Sequence, residues 1–298
     1  MNNDELYTNL LEQFNAELKV LKDKPEETSA STLKALWLTA SGHPISAQAA
    51  ESEKLPDLNA EQTEDLLNLI ERRLTGEPLA HLTGRQQFMG IELLAGPEAL
   101  VPRKETELLG KTAIQYLNKR SNERDSLTVI DVCTGAGNLA ISYAVNEPKA
   151  KVYAADLSPE AVSLAKRNAE YHHLESQVKF TESDLLAAYE SVEFYNKVDL
   201  LTCNPPYISS GKVEVMDEEI SSHEPGMAFD GGPFGIKILQ RLMKEAPKYL
   251  REGGCLMFEL GLGQGELIIK RIEKMNLYKE VLSVKNDDGD IRVVVAYV

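Results

Sequence analysis

From about Asp4 to Leu74, apolar residues recur at three- and four-residue spacing. Leu6, Leu10, Phe14 and Leu18 with Leu21 form one set; Leu33, Leu36 and Trp37 form a second; Leu66, Leu67, Ile70 and Leu74 form a third. That period predicts amphipathic helices and no strand. Ser31 is the expected N-cap of the second helix, and Pro25, Pro44 and Pro56 punctuate the segment. Residues 1–75 therefore read as a small acidic helical domain. Its residues leave open whether it is a scaffold or recognises a substrate.

The pattern changes over residues 76–104. Gly76, Pro78, Gly84, Gly90, Gly96 and Pro97 break up helix, and Gln87-Phe88-Met89 and Ile91-Glu92-Leu93-Leu94 flank Gly90 as a short hairpin. This stretch holds too many apolar residues for a loose linker, so it reads as a structured connector. From residue 105 a helix runs to about Asn118, and from Leu127 the chain alternates strand and helix to its end. Expected strands are Leu127–Cys133, Lys151–Ala155, Val178–Thr181, Val198–Cys203 and Cys255–Leu260. Expected helices are Asn138–Val145, one capped by Ser158 with Pro159 at its first position, Ile236–Leu250 and Glu266–Met275. Val281–Val284 and Ile291–Tyr297 close the chain as an antiparallel pair. Such alternation predicts a mostly parallel, Rossmann-like α/β sheet. Gly211 to Gly232 is a long polar loop expected to act as a lid or binding loop.

Composition narrows the class. Hydrophobic content of 43% and charged content of 27% are those of an ordinary globular protein. The formal net charge of −15 argues against stable nucleic-acid binding, where phosphate neutralisation dominates affinity. No run is long and apolar enough to span a bilayer, and Met1-Asn2-Asn3-Asp4-Glu5 is no signal peptide, so no membrane partner is expected. Cys133, Cys203 and Cys255 sit in apolar runs without metal-ligand spacing. They read as buried reduced thiols of a cytoplasmic protein, and no metal site is expected.

The chemistry concentrates at two stretches. In Asn204-Pro205-Pro206-Tyr207-Ile208, two prolines fix φ and cannot donate to a sheet, so the chain leaves its strand stiffly. That sets Asn204 as a polar hook at a carboxyl strand edge, where open α/β sheets bind ligands. Its carboxamide, beside the carbonyl of Pro205, suits a planar NH₂ group, and Tyr207 suits stacking on it. A plain strand-terminating turn is the alternative for the prolines alone.

The second stretch is Asp131, then Cys133-Thr134-Gly135-Ala136-Gly137, then Asp156. Glycines let backbone approach a ligand, and the next helix offers free N–H groups and a positive dipole end. Asp156 follows Gly137 by 19 residues (156 − 137), the spacing of an acid that accepts from ribose hydroxyls. The loose dinucleotide fingerprint is satisfied, so NAD competes. Asp131 and the Asn-Pro-Pro-Tyr corner fit S-adenosylmethionine better, and neither belongs to the nicotinamide pattern.

These motifs together resemble the class I S-adenosylmethionine-dependent methyltransferases. Within them, the chain resembles the peptide chain release factor glutamine N5-methyltransferases. The likeness runs through Gly76-Glu77-Pro78-Leu79-Ala80, Leu82-Thr83-Gly84, Phe88-Met89-Gly90 and Val101-Pro102-Arg103-Lys104-Glu105-Thr106-Glu107. It continues through Asn204 to Ile208, His223-Glu224-Pro225, Asp230-Gly231-Gly232, Glu259-Leu260-Gly261, Gln264-Gly265 and Asp288 to Val294. Asn-Pro-Pro-Tyr alone is shared with adenine-N6 nucleic-acid methyltransferases; the connector and the His-Glu-Pro loop narrow the assignment. The chain departs from the family pattern at Cys133 (usually glycine), Lys104 (proline), His81 (aromatic) and Pro233-Phe234-Gly235 (an Asp-Gly pair).

The resemblance implies a seven-stranded sheet with an antiparallel last strand. It implies substrate recognition by residues 1–75, a hairpin connector over 76–104 and methyl transfer by 105–298. It further implies S-adenosylmethionine as cofactor, held by Cys133 to Gly137, Asp156 at the ribose, Asp184 with Leu185 at the adenine, and Asn204. Asn204, Pro205, Pro206 and Tyr207 would bind the target amide, with Asn204, Pro205 and Tyr207 catalytic. The implied partner is a protein, a peptide chain release factor. The alternatives are a paralogue acting on another protein glutamine, an adenine-N6 nucleic-acid enzyme, which the acidic charge disfavours, and a non-catalytic cofactor-binding adaptor.

Overall fold

A computed structural model describes residues 3–21, 24–208, 225, 229 and 235–298. These residues form two compact units, one reaching to Glu105 and one running from Thr106 onward. The predicted motif residues His223, Glu224, Asp230, Gly231, Gly232, Pro233 and Phe234 lie outside the described residues.

The first unit carries α1 (Asn3–Glu17), α2 (Ser29–Ala40), α3 (Ala47–Ala50), α4 (Ala60–Leu74) and α5 (Leu79–Thr83), then β1 (Arg85–Phe88) and β2 (Ile91–Leu94). Leu10, Phe14, Leu33, Leu36, Trp37, Leu66 and Ile70 share one core, as the helical spacing requires. The cap of α2 is Thr28 and not Ser31: the Thr28 hydroxyl accepts from the Ser31 N–H at 3.1 Å, while Ser31 lies inside the helix. A threonine three residues upstream of a free N–H competes for the cap with a serine already in the first turn. The hairpin pairs Arg85 with Leu94 and Phe88 with Ile91. The Glu92 carboxylate accepts from Ser46, the N-cap of α3, at 2.6 Å and 3.0 Å, so β2 and α3 brace each other.

The second unit carries α6 (Glu107–Ser121), β3 (Leu127–Val132), α7 (Asn138–Asn146), β4 (Ala150–Asp156), α8 (Pro159–Tyr171), β5 (Val178–Glu182) and β6 (Val198–Cys203). It continues with α9 (Lys237–Glu245), β7 (Leu250–Glu259), α10 (Gly265–Lys274), β8 (Glu280–Lys285) and β9 (Ile291–Tyr297). The seven strands run in the order β5-β4-β3-β6-β7-β9-β8. All pairs from β5 to β7 are parallel, and β9 is antiparallel to both neighbours. All six residues of β6 are buried, Asp199 and Thr202 included, as in a parallel strand covered on both faces.

One expected boundary moves. Helix was expected to run to Leu250, but α9 ends at Glu245, a 3₁₀ turn covers Ala246–Lys248, and β7 starts at Leu250. Pro247 sits in that turn and removes the donor a longer helix needs. Ile130, Val132, Leu201, Cys203, Leu256 and Phe258 pack on one face with Leu239 and Leu242 of α9 and Ile268 and Ile272 of α10. Strand alternation sends Val129, Leu200 and Cys255 to the other face. There the Tyr116 hydroxyl of α6 donates to the carbonyls of Asp199 (3.0 Å) and Gly253 (2.9 Å).

Candidate active site

The chain winds outward from β3 through β4 to β5, then returns to β6 beside β3 and winds the other way. The β3–β6 seam is thus the switch point, and ligands of such sheets bind at its carboxyl ends. Val132 and Cys203 are register partners there, so the two stretches singled out in the sequence emerge side by side.

The turn after β3 is held from three sides. Thr134 N–H donates to the Ala155 carbonyl at 3.0 Å, and Gly137 N–H donates to the Thr134 carbonyl at 2.9 Å. Asn168 of α8, fully buried, donates its side-chain N–H to the Ala136 carbonyl at 3.0 Å. The two glycines serve different ends. A Cβ on Gly135 (φ +55) would meet nothing within 4 Å, so its face is open to a ligand. A Cβ on Gly137 (φ +82) would strike the Phe180 ring at 2.9 Å, so that glycine permits packing of the turn on β5.

Asp156 receives the Gly135 N–H at 2.8 Å and the Ser158 N–H at 3.0 Å, one on each oxygen. A carboxylate has about four lone-pair sites, so acceptor capacity is left for a ligand. Asp131 is fully buried and accepts the hydroxyls of Thr134 and Thr202, each at 2.6 Å. Burial pushes its carboxyl up to about 7, against the pull of the two hydroxyl donors and with the nearby Asp156 charge adding to the rise.

After β6, Asn204 is half-buried and Pro205 buried. The Asn204 side-chain NH₂ donates to the Thr106 hydroxyl at 2.9 Å, so its carboxamide oxygen is turned the other way. Tyr207 is clamped at two points. Gln264 donates to the Tyr207 carbonyl at 3.0 Å and accepts the Gly261 N–H at 2.9 Å. The Arg292 guanidinium lies 5.9 Å from the Tyr207 ring centroid and reaches Glu259 at 3.4 Å.

The structure gathers Cys133 to Gly137, Asp156, Asn204 and Tyr207 at one sheet edge. Cys133 is half-buried rather than buried, because the turn lifts it off the strand at φ 57. Asp184 is different: its exposed carboxylate pairs with Arg241 at 2.6 Å. Leu185 buries its side chain in the core at φ 52, leaving only its backbone for a ligand. Sequence reasoning gave no role to Thr106, Thr202, Gln264 or Arg292. Thr106 lies inside the Glu105-Thr106-Glu107 motif and Gln264 inside Gln264-Gly265, so the motifs flagged them while their partners are remote in sequence. Among the described residues, no group of three or more His, Cys, Asp or Glu side chains is arranged for a metal ion. No described helix is long and apolar enough to cross a membrane.

A methyltransferase-domain family model matches residues 123–294, and a PrmC N-terminal domain model matches residues 9–84. The release factor glutamine methyltransferase of Moorella thermoacetica is 34% identical over 228 residues, covering 76% of this chain and 77% of that protein. The same-named protein of Geobacter sulfurreducens is 32% identical over 237 residues, covering 80% and 79%. Among solved structures, the hMettl16 catalytic domain in complex with the MAT2A 3′UTR hairpin 6 aligns with TM-score 0.54 at 15% identity, over 82% of this chain and 84% of that one. A human methyltransferase 10 domain containing protein aligns with TM-score 0.50 at 20% identity, over 70% and 88%. At these identities the structural likeness concerns the fold.

Proposed function

The chain belongs to the release factor glutamine methyltransferase family, and from that premise we propose that it methylates the side-chain amide nitrogen (N5) of a glutamine in a peptide chain release factor, using S-adenosylmethionine. The observation that carries the reading is the Asn204–Thr106 hydrogen bond at 2.9 Å. With its NH₂ engaged there, Asn204 has its carboxamide oxygen as the group available to a substrate.

The residues fit the cofactor. The open face at Gly135 gives its methionine part close approach to backbone. The spare lone pairs of Asp156 suit ribose hydroxyls, and the buried Asp131 steadies the turn from behind by accepting the Thr134 hydroxyl. When bound, S-adenosylmethionine supplies an electrophilic methyl on its sulfonium.

The chain's own task is positioning. An amide nitrogen is a poor nucleophile because its lone pair is delocalised into the carbonyl. The Asn204 Oδ1 and the Pro205 carbonyl accept the two N–H groups of the target amide and fix its plane. Both oxygens stabilise positive charge growing on that nitrogen, and they are already oriented before reaction. Neither is basic enough to keep the proton the nitrogen sheds, which passes to water. Tyr207 packs on the amide plane, held by Gln264 through its carbonyl and by Arg292 beside its ring. Residues 1–75 serve substrate recognition in this reading, with 76–104 as connector and 105–298 carrying the transfer.

The test is mass spectrometry of a purified release factor incubated with enzyme and S-adenosylmethionine. One glutamine should gain a methyl group. Asn204→Ala should lose turnover by a factor on the order of 10²–10³, the usual effect of removing one oriented polar group, while still binding the cofactor. An unmodified release factor, or normal turnover in Asn204→Ala, would refute the proposal.

A further inference from the structure

The turn at the end of β3 begins with a residue that carries a thiol. Cys133 is half-buried and adopts φ 57, the left-handed region. Across the seam, Cys203 is the last residue of β6 and is fully buried. Its register partner is Val132, the immediate neighbour of Cys133. Cys133 packs against the core cluster that contains Cys203, and, after burial itself, its thiol is among the neighbours that raise the Cys203 thiol's pKa. A strand spacing of about 4.8 Å combined with a one-residue offset of about 3.3 Å puts diagonal Cα atoms roughly 6 Å apart, inside the span of about 4.4–6.8 Å that a disulfide bridges. The third cysteine is elsewhere: Cys255 of β7 lies on the opposite face, its thiol against Tyr116.

We propose that Cys133 and Cys203 are a peroxide-oxidisable dithiol whose disulfide distorts the glycine turn. Cys133 is the more exposed thiol and reacts first. Its sulfur attacks one oxygen of hydrogen peroxide, the O–O bond breaks, and a sulfenic acid and water form. The Cys203 sulfur then displaces the hydroxyl from that sulfenic acid, giving the S–S bond and a second water. Two thiol sulfurs are each oxidised by one electron, and the two peroxide oxygens are reduced to water. Burial shields the Cys203 thiol and holds it well above its ordinary pKa, so the half-buried Cys133 is the thiol that peroxide meets first.

The bond would draw Cys133 toward β6 and drag Thr134 with it. Thr134 anchors the turn through its N–H on Ala155 (3.0 Å) and its hydroxyl on Asp131 (2.6 Å), so its displacement alters the open face at Gly135. The consequence for cofactor affinity rests on the proposed function; the disulfide does not.

The test uses the reduced full chain and one equivalent of hydrogen peroxide. Titratable thiols in denaturant should fall from three to one, and peptide mapping should find the Cys133 and Cys203 peptides joined with the loss of two hydrogen atoms. Calorimetry should show S-adenosylmethionine bound on the order of ten-fold more weakly by the oxidised protein, with dithiothreitol restoring it. Cys203→Ala should form no internal disulfide, and peptide mapping of the wild-type chain decides the linkage even where that variant folds poorly. Three thiols remaining, a link through Cys255, or a disulfide form of unchanged affinity overturns the proposal. A reduced wild-type chain that ignores S-adenosylmethionine instead defeats the functional reading, while the thiol count still decides the dithiol.

Discussion

Replacing Asp131 with asparagine removes a charge the fold bears at a cost. Its carboxyl is carried by burial from an ordinary 3.8 to about 7. At about 1.36 kcal/mol for each pH unit, full ionisation of Asp131 destabilises the folded state by about 4 kcal/mol. The sign follows from proton counting. Between pH 3.8 and about 7 the folded state holds a proton that the unfolded state has released. Stability from this group is therefore greatest in acid and is lost as pH rises through that window. Asparagine keeps the shape, and the freely turning hydroxyls of Thr134 and Thr202 can meet either of its polar atoms. Urea unfolding of both proteins in the absence of cofactor, at about pH 5 and about pH 8, measures the effect. Between those two pH values Asp131→Asn should gain on the wild type by about 3 kcal/mol, the share of the window that lies above about pH 5. A stability difference that does not change with pH would refute the reasoning. Cationic cofactor bound nearby favours the ionised carboxylate. S-adenosylmethionine binding by the wild type near pH 6.5 should therefore release protons, seen as a dependence of calorimetric heat on buffer ionisation, and Asp131→Asn should lose that release.

Thr106→Val removes the hydroxyl that receives the Asn204 NH₂ and lets the carboxamide rotate. Turnover should fall about ten-fold with cofactor affinity within about two-fold, and Thr106→Ser should recover most of the loss; unchanged kcat in Thr106→Val would remove Thr106 from the site. Gly137→Ala places a Cβ 2.9 Å from the Phe180 ring at φ +82. Thermal unfolding should report a loss of about 1–3 kcal/mol, partly recovered by a smaller residue at Phe180, whereas wild-type stability would show that the turn yields at no cost.

Much of the architecture could be read along the chain because its causes are local. Apolar spacing predicted α1, α2 and α4 of the first unit and the buried strands β3, β6 and β7, while the short α3 and α5 carry too few turns to show a period. The βα alternation predicted a mostly parallel sheet, and the turn at Asp287-Asp288-Gly289 between the last two strands predicted their antiparallel pairing. Two errors were also local: Thr28 took the cap assigned to Ser31, and Pro247 ended α9 before Leu250. In each case neighbouring residues compete for one turn, and period alone does not rank them.

The sequence by itself determined where the chain stiffens and where it opens. Pro205 and Pro206 restrict φ, Gly135 tolerates a left-handed turn, and no partner is needed for either. Only the tertiary structure decided what surrounds those points. Thr106 comes 98 residues before Asn204, yet its hydroxyl orients the Asn204 amide. Gln264 comes 57 residues after Tyr207 and grips its carbonyl. Asp131 stands out in the sequence only by its place ahead of the glycine turn; its burial and raised carboxyl come from the closed sheet, and Cys133 comes beside Cys203 only because β6 returns beside β3. Backbone restriction acts within a few residues, whereas desolvation and side-chain pairing depend on which distant segments the folded sheet brings together.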